Sequence, residues 1–248
     1  MTLETDAELA RLAITLLDLT DLGDDTTADA AATLCERARS ASVAAVCVWP
    51  RFVSICADAL EGSGVRVATV VNFPTGDEAL GEVLTMTSAA LVDGADEIDV
   101  VLPYRRWLAG DNQRAADVLD GVRDLASSGG TPSAVKVIIE SGELPDRAAI
   151  DRASHFAIEH GADFVKTSTG KTAVSATLDA AETILEAIDV SGRPVGFKVS
   201  GGIKTLVDAR AYLELAEQLM GDGWVSPGTF RFGASSLLDE LCRVASAG

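Results

Sequence analysis

Gly161-Ala-Asp-Phe-Val-Lys-Thr-Ser-Thr-Gly-Lys171 is the stretch that decides how this chain folds. A helical pattern over 145–160, with apolar residues recurring at three and four positions, stops at Gly161, and a short strand-like run over 162–168 follows at once. Glycine just past a helix supplies the left-handed C′ conformation and a tight turn into the next strand. The same order of helix, glycine and strand recurs at Gly94 and Gly192. Working outward, β-rich runs fall at 14–20, 43–49, 66–72, 95–102, 134–140, 162–168, 194–200 and, more weakly, 229–233. Helix-compatible stretches at 79–93, 112–127, 145–160, 175–188 and 205–220 lie between them. Eight strand–helix units in 248 residues predict an α/β fold, a TIM (β/α)8 barrel, as a single domain over residues 1–248. An open doubly wound sheet fits less well, because no Gly-x-Gly-x-x-Gly turn follows the first strand.

Composition narrows the function. With 48% apolar residues the chain buries a full core without a linker or low-complexity segment. A formal charge of -18 repels nucleic acid and anionic membranes, so neither is expected as a partner, and an anionic substrate must be met by local groups. The stretch Met1-Thr-Leu-Glu-Thr-Asp6 is acidic where a signal peptide is basic, and no apolar run approaches the length of a membrane span, so a cytoplasmic location is expected. Cys35, Cys47, Cys56 and Cys242 show no Cys-x-x-Cys spacing and read as reduced thiols. The two histidines, His155 and His160, are five apart on one helical pattern and point in different directions, so no metal and no cofactor is expected.

Active sites on TIM barrels lie at the C-terminal ends of the strands. Read in order, the polar residues there are Asp18 and Thr20, Cys47, Asn72, Asp99, Lys136 with Glu140, Lys166 with Ser168, and Lys198 with Ser200. Only five lysines exist, all after residue 135, and two of them end apolar runs 32 residues apart: Lys166 and Lys198, the latter in Gly196-Phe-Lys-Val-Ser-Gly-Gly202. Burying Lys136, Lys166 and Lys198 outward against helices would be costly, so the expectation is that they point inward, near Asp99, Asp18 and Glu140. An amine held among apolar residues and beside a second cation loses its proton more readily and becomes nucleophilic. An ordinary structural Lys–Asp network is the alternative reading of the same residues.

The strand ends also suggest an anion site. Gly201-Gly202 and Gly233-Ala-Ser-Ser236 present backbone N–H groups and hydroxyls near helix starts, where a dianion fits. Thr169-Gly-Lys-Thr172 is not a nucleotide-binding P-loop, since Val165 stands where that motif needs its first glycine. Cys47 reads as a small buried hydrophobe rather than a nucleophile.

Taken together, Phe164–Lys171, Gly196–Gly202, Asp99-Val-Val-Leu-Pro-Tyr104, Asp18-Leu-Thr20 and Phe232-Gly-Ala-Ser-Ser236 closely resemble the deoxyribose-phosphate aldolase family, in the same order from first strand to last helix. The resemblance implies a metal-independent class I aldolase that cleaves 2-deoxy-D-ribose 5-phosphate to D-glyceraldehyde 3-phosphate and acetaldehyde. It places the Schiff-base lysine on Lys166, the second catalytic lysine on Lys198 and the acid/base aspartate on Asp99. It assigns the phosphate to Gly170, Lys171, Gly201, Gly202, Gly233, Ser235 and Ser236. The sugar end of the expected site is Asp18, Thr20, Cys47, Asn72 and Thr167. A small phosphosugar is the expected partner, and a homodimer the assembly considered. Another Schiff-base enzyme of this fold, such as a transaldolase or keto-acid aldolase, is the next reading, followed by a sugar-phosphate sensor without turnover.

Overall fold

The computed structural model describes residues 5–130 and 132–247, so the first four residues of the acidic start, Thr131 and Gly248 lie outside the described residues. A helix precedes the first strand. Thr5 accepts a hydrogen bond from the Glu8 N–H while the Glu8 carboxylate accepts one from the Thr5 N–H, and this capping box starts α1 (Asp6–Thr15). Ala10, Ala13 and Ile14 bury from its inner face, so the strand expected from residue 14 begins only at Leu17. Ile14, Leu16, Leu17 and Leu19 lie in one mostly apolar stretch, and periodicity alone does not separate a helix end from a strand start within it.

Strand and helix then alternate: β1 (Leu17–Asp21), α2 (Ala28–Ala41), β2 (Ala45–Val48), α3 (Val53–Leu60), β3 (Arg66–Val71), α4 (Leu80–Val92) and β4 (Glu97–Val101). A short α5 (Tyr104–Leu108) comes before α6 (Asn112–Ser127), followed by β5 (Ala134–Ile138), α7 (Arg147–Glu159) and β6 (Phe164–Lys166). The chain ends with α8 (Leu178–Ser191), β7 (Gly196–Ser200), α9 (Leu206–Met220), β8 (Phe230–Ala234) and α10 (Leu237–Ala245). All neighbouring strands pair in parallel and β1 pairs with β8, closing an eight-strand barrel. Gly94, Gly161 and Gly192 all take positive φ between helix and strand. Among the described residues no helix is long and apolar enough to cross a membrane.

Register fixes what faces the lumen. Asp99 pairs with Lys136, Lys166 with Lys198, and Lys198 with Arg231, so these side chains point the same way from adjacent strands. Lys136 on β5 comes within 3.4 Å of Asp18 on β1, across the barrel, which is possible only through its interior. The residues between them point outward. Phe197, Phe230 and Phe232 stack edge to face at 5.7 and 4.9 Å beneath the helices, all without exposed surface.

Phe230 contacts both of the other rings, so Phe230→Ala should cost about 3–5 kcal/mol of stability. Denaturant unfolding monitored by circular dichroism checks this, with the midpoint expected to fall at constant slope.

Candidate active site

Seven charged side chains meet inside the barrel. Asp99 is at the centre: Lys166 Nζ donates to its Oδ2 at 2.7 Å, Lys198 Nζ to the same oxygen at 2.8 Å, and Lys136 Nζ to Oδ1 at 2.9 Å. Lys198 also donates to Asp18 Oδ2 at 2.5 Å, and Lys136 to Glu97 Oε2 at 2.5 Å. Arg231 ties the lower end together, with Nη1 on Asp18 Oδ1 at 2.5 Å and Nη2 on Glu97 Oε1 at 2.9 Å. Within this cluster Lys136, Lys166, Lys198 and Arg231 oppose Asp18, Glu97 and Asp99, four cations against three anions.

That imbalance selects one group to be neutral, because an unpaired charge in a dry interior is expensive. Burial pushes the Lys166 ammonium toward its neutral form and Lys198 adds to that push, against the opposing pull of Asp99. Lys198 and Lys136 go the other way. Burial would lower each, but Asp18 and Asp99 hold Lys198 charged, and Asp99, Glu97 and Asp18 hold Lys136 charged. Burial likewise would raise Asp18 and Asp99, yet the surrounding cations keep both below the usual carboxylate range. Lys166 also stands at the C-terminal end of its strand and keeps 3% of its side chain exposed, while Lys136 and Lys198 keep none.

Several other expected residues take part less directly. Asp18 has no exposed surface and is bound by Lys198 and Arg231, so it belongs to the charge cluster rather than to an open sugar pocket. Thr20, above it, is half-buried and donates to the Asp18 carbonyl. Cys47 is buried, and burial pushes its thiol up, away from the thiolate. The Asn72 amide donates to Val101 O at 2.8 Å and its oxygen accepts from Glu78 N–H at 3.0 Å, which holds the loop after β3 in a turn where Asn72 takes φ 55°. Thr167 links β6 to β7, donating to Ser200 O and accepting from Ser200 N–H. Glu140, expected beside the lysines, pairs instead with Thr169 and Thr172, because the backbone beyond β5 turns its side chain toward the next loop.

The glycine-rich strand ends gather around one cleft of about 400 Å³ at the C-terminal face, bordered by Gly170, Lys171, Gly201, Gly202, Ser235 and Ser236. Gly170, Gly201 and Gly202 all take positive φ there. Lys171 reaches across the opening to donate to Leu22 O at 2.9 Å, and Lys204 also borders it. Ser236 is the residue before α10, and its side chain is not used as a cap. Gly233 has a different reason to be glycine: a Cβ there would lie 3.1 Å from Lys198 Cε and 2.7 Å from Ser200 Oγ, so its absence makes room for the lysine.

Sequence reading overlooked Glu97 and Arg231. Alternation on β4 puts Glu97 on the face of Asp99, and alternation on β8 puts Arg231 on the face of Gly233, so both were recoverable once the lumen was known to be ionic. A wider cleft of about 660 Å³ opens at the opposite face, beside Arg66, Arg123 and Arg231. Those guanidiniums pair with Glu97, Asp163 and the cluster just described, and Lys166 does not line the cleft.

The barrel thus carries a desolvated lysine at a strand end and a glycine-rich cleft above it. The family model for DeoC/LacD family aldolases matches residues 12–241, and the chain belongs to that family. It is 50% identical to the deoxyribose-phosphate aldolase of Agrobacterium fabrum over all of this chain and 96% of that protein. A Toxoplasma gondii ME49 apo structure, proposed to be a deoxyribose-phosphate aldolase, superposes with TM-score 0.88 at 27% identity, covering 98% of each chain. The tetrameric deoxyribose phosphate aldolase of Aeropyrum pernix gives TM-score 0.79 at 25% identity, covering 99% of this chain and 94% of that one.

The Lys166 amine reacts only when unprotonated, so its alkylation by acetaldehyde and cyanoborohydride should fall as pH drops through its lowered pKa. Lys198→Met removes a neighbouring cation, raises the Lys166 pKa and should move that acid limb to higher pH. Lys198→Arg keeps the charge and should leave the limb in place. Peptide mass spectrometry across a pH series reads both, and an unmoved limb in Lys198→Met would show that Lys198 does not set the Lys166 charge.

Proposed function

We propose that this aldolase cleaves 2-deoxy-D-ribose 5-phosphate to D-glyceraldehyde 3-phosphate and acetaldehyde through an imine on Lys166, in the breakdown of deoxyribose phosphates. The observation that carries the proposal is the sharing of one Asp99 oxygen by Lys166 and Lys198, only the first of which is driven toward the neutral amine. The Agrobacterium fabrum relative supports the choice of substrate.

The neutral Lys166 amine adds to C1 of the open-chain sugar, and loss of water leaves an iminium. A proton leaves the C3 hydroxyl, the C2–C3 bond breaks, and its electrons flow into the iminium to give an enamine. Glyceraldehyde 3-phosphate departs. Protonation of the enamine carbon and hydrolysis then release acetaldehyde and restore the amine. Asp99 receives and returns these protons, directly or through water. With Lys136 and Lys198 held charged beside it, Asp99 stays below the usual carboxylate range and is a weak base. Lys198 remains charged throughout. The phosphate sits in the cleft between the β6, β7 and β8 loops, where Lys171 and Lys204 supply positive charge that the acidic chain as a whole does not. A second copy of the chain is the proposed partner in solution, and the cytoplasm the proposed compartment.

Borohydride added with deoxyribose 5-phosphate should leave a reduced adduct on Lys166, identified by peptide mass spectrometry. Lys166→Arg should abolish cleavage with the fold intact, since a guanidinium stays protonated. An adduct on Lys198, or turnover near wild type in Lys166→Arg, would overturn the assignment.

Ser236→Asp would set a carboxylate against the substrate phosphate at the start of α10. Its kcat/KM for deoxyribose 5-phosphate should fall roughly tenfold or more, with a much smaller loss on unphosphorylated deoxyribose. Equal losses on the two sugars would place the phosphate elsewhere.

A further inference from the structure

One buried carboxylate has no part in this chemistry. Glu140 follows β5, has no exposed surface, and adopts φ 51° and ψ 59°. Left-handed backbone is uncommon for a residue with a long side chain, and it persists where the surroundings require it. Burial raises its pKa, a sign that the protein keeps an acceptor here at some cost.

The hydrogen bonds of its carboxylate go to one loop. Glu140 accepts from the Thr169 N–H at 3.3 Å on each oxygen, from the Thr169 hydroxyl at 2.5 Å and from the Thr172 hydroxyl at 3.3 Å. The Thr169 hydroxyl in turn accepts from the Lys171 N–H at 3.1 Å, so the carboxylate is two hydrogen bonds from the backbone of Lys171. The loop is gripped on both sides. A Cβ on Gly142 would lie 2.1 Å from Val174 O, so the turn after β5 (Ser141–Glu143) meets it backbone to backbone. A Cβ on Gly201 would lie 2.5 Å from the Ser175 side chain on the other flank.

We infer that Glu140 is a positioning residue for the phosphate end of the site: by fixing the turn from Thr169 to Thr172 it presets Gly170 and Lys171 over the cleft, and so sets the preference for a phosphorylated over an unphosphorylated aldose. The inference rests on the phosphate reading of that cleft given above. Glu140 does not touch the sugar in this account. Its effect reaches the substrate through Thr169, whose hydroxyl joins the carboxylate to the backbone of Lys171.

The test compares wild type, Glu140→Gln and Thr172→Val with deoxyribose 5-phosphate, with deoxyribose, and with inorganic phosphate as inhibitor. Glutamine keeps the size but loses one acceptor oxygen, and Thr172→Val removes from a half-buried position a hydroxyl that also donates to Val174 O at 3.0 Å. In Glu140→Gln the KM for the phosphorylated sugar should rise roughly tenfold with kcat little changed, and inhibition by phosphate should weaken by a similar factor. Deoxyribose turnover should change less than about twofold. Thr172→Val should show the same pattern in smaller measure, and it decides the matter if Glu140→Gln does not fold. A fall in kcat on both sugars, or equal losses of kcat/KM, would overturn the inference by showing that Glu140 serves Lys166 or the fold. A wild-type enzyme that neither prefers the phosphorylated sugar nor is inhibited by phosphate would overturn the phosphate reading itself, and this inference with it.

Discussion

Asp99 Oδ2 accepts hydrogen bonds from two lysines at once, and the rest of the site depends on that sharing. Two ammonium groups cannot both stay charged on one oxygen in a dry interior unless other anions balance them. Lys198 has such an anion in Asp18, and Lys166 does not. The cluster therefore relieves its excess positive charge at Lys166, the lysine at the mouth of the barrel. Burial pushes Lys166 toward the neutral amine, and its place within a set of fixed charges adds to that push.

Holding seven charged groups in a barrel lumen requires backbone room as well as charge balance. The parallel register brings Lys166, Lys198 and Arg231 into line on adjacent strands. Two glycines leave the space these long side chains need. Gly233 yields to Lys198, and Gly196 lets the Phe164 ring lie where its own Cβ would come within 2.4 Å. Arg231 lies over that ring at 5.5 Å while its guanidinium reaches Asp18 and Glu97. At the lower end of the cluster Arg231 packs on Phe164, and at the upper end stands Lys166.

In the proposed function, substrate charge is handled in a separate place. A chain of net charge -18 does not attract an anion at long range, so recognition falls to short-range donors on the loops after β6, β7 and β8. Those loops are rich in glycine and are held by neighbours: Glu140 and Gly142 on one side, Gly201 on the other. Rigid support from the turn after β5 gives a loop with few side chains a defined shape before substrate arrives.

Alternating strand and helix patterns, with glycines at their joints, were enough to specify the barrel and its single domain, because period and turn chemistry are local properties. The two apolar runs ending in Lys166 and Lys198 marked these lysines for the same reason. Local pattern failed where a run had two uses: Ile14 belongs to α1 and not to β1, since the capping box at Thr5 lies upstream of the apolar residues that suggested a strand. Partnership was not legible. Whether Glu140 or Glu97 neutralises the lysines depends on where a strand ends and which way its last residue turns, and Asp18, expected both beside the lysines and at the sugar end, is bound between Lys198 and Arg231. The sequence alone determined the barrel and which lysines end its strands; only the tertiary structure decided which of them is pushed toward the neutral amine, because that depends on burial and on charges brought together from β1, β4, β5 and β8, far apart along the chain.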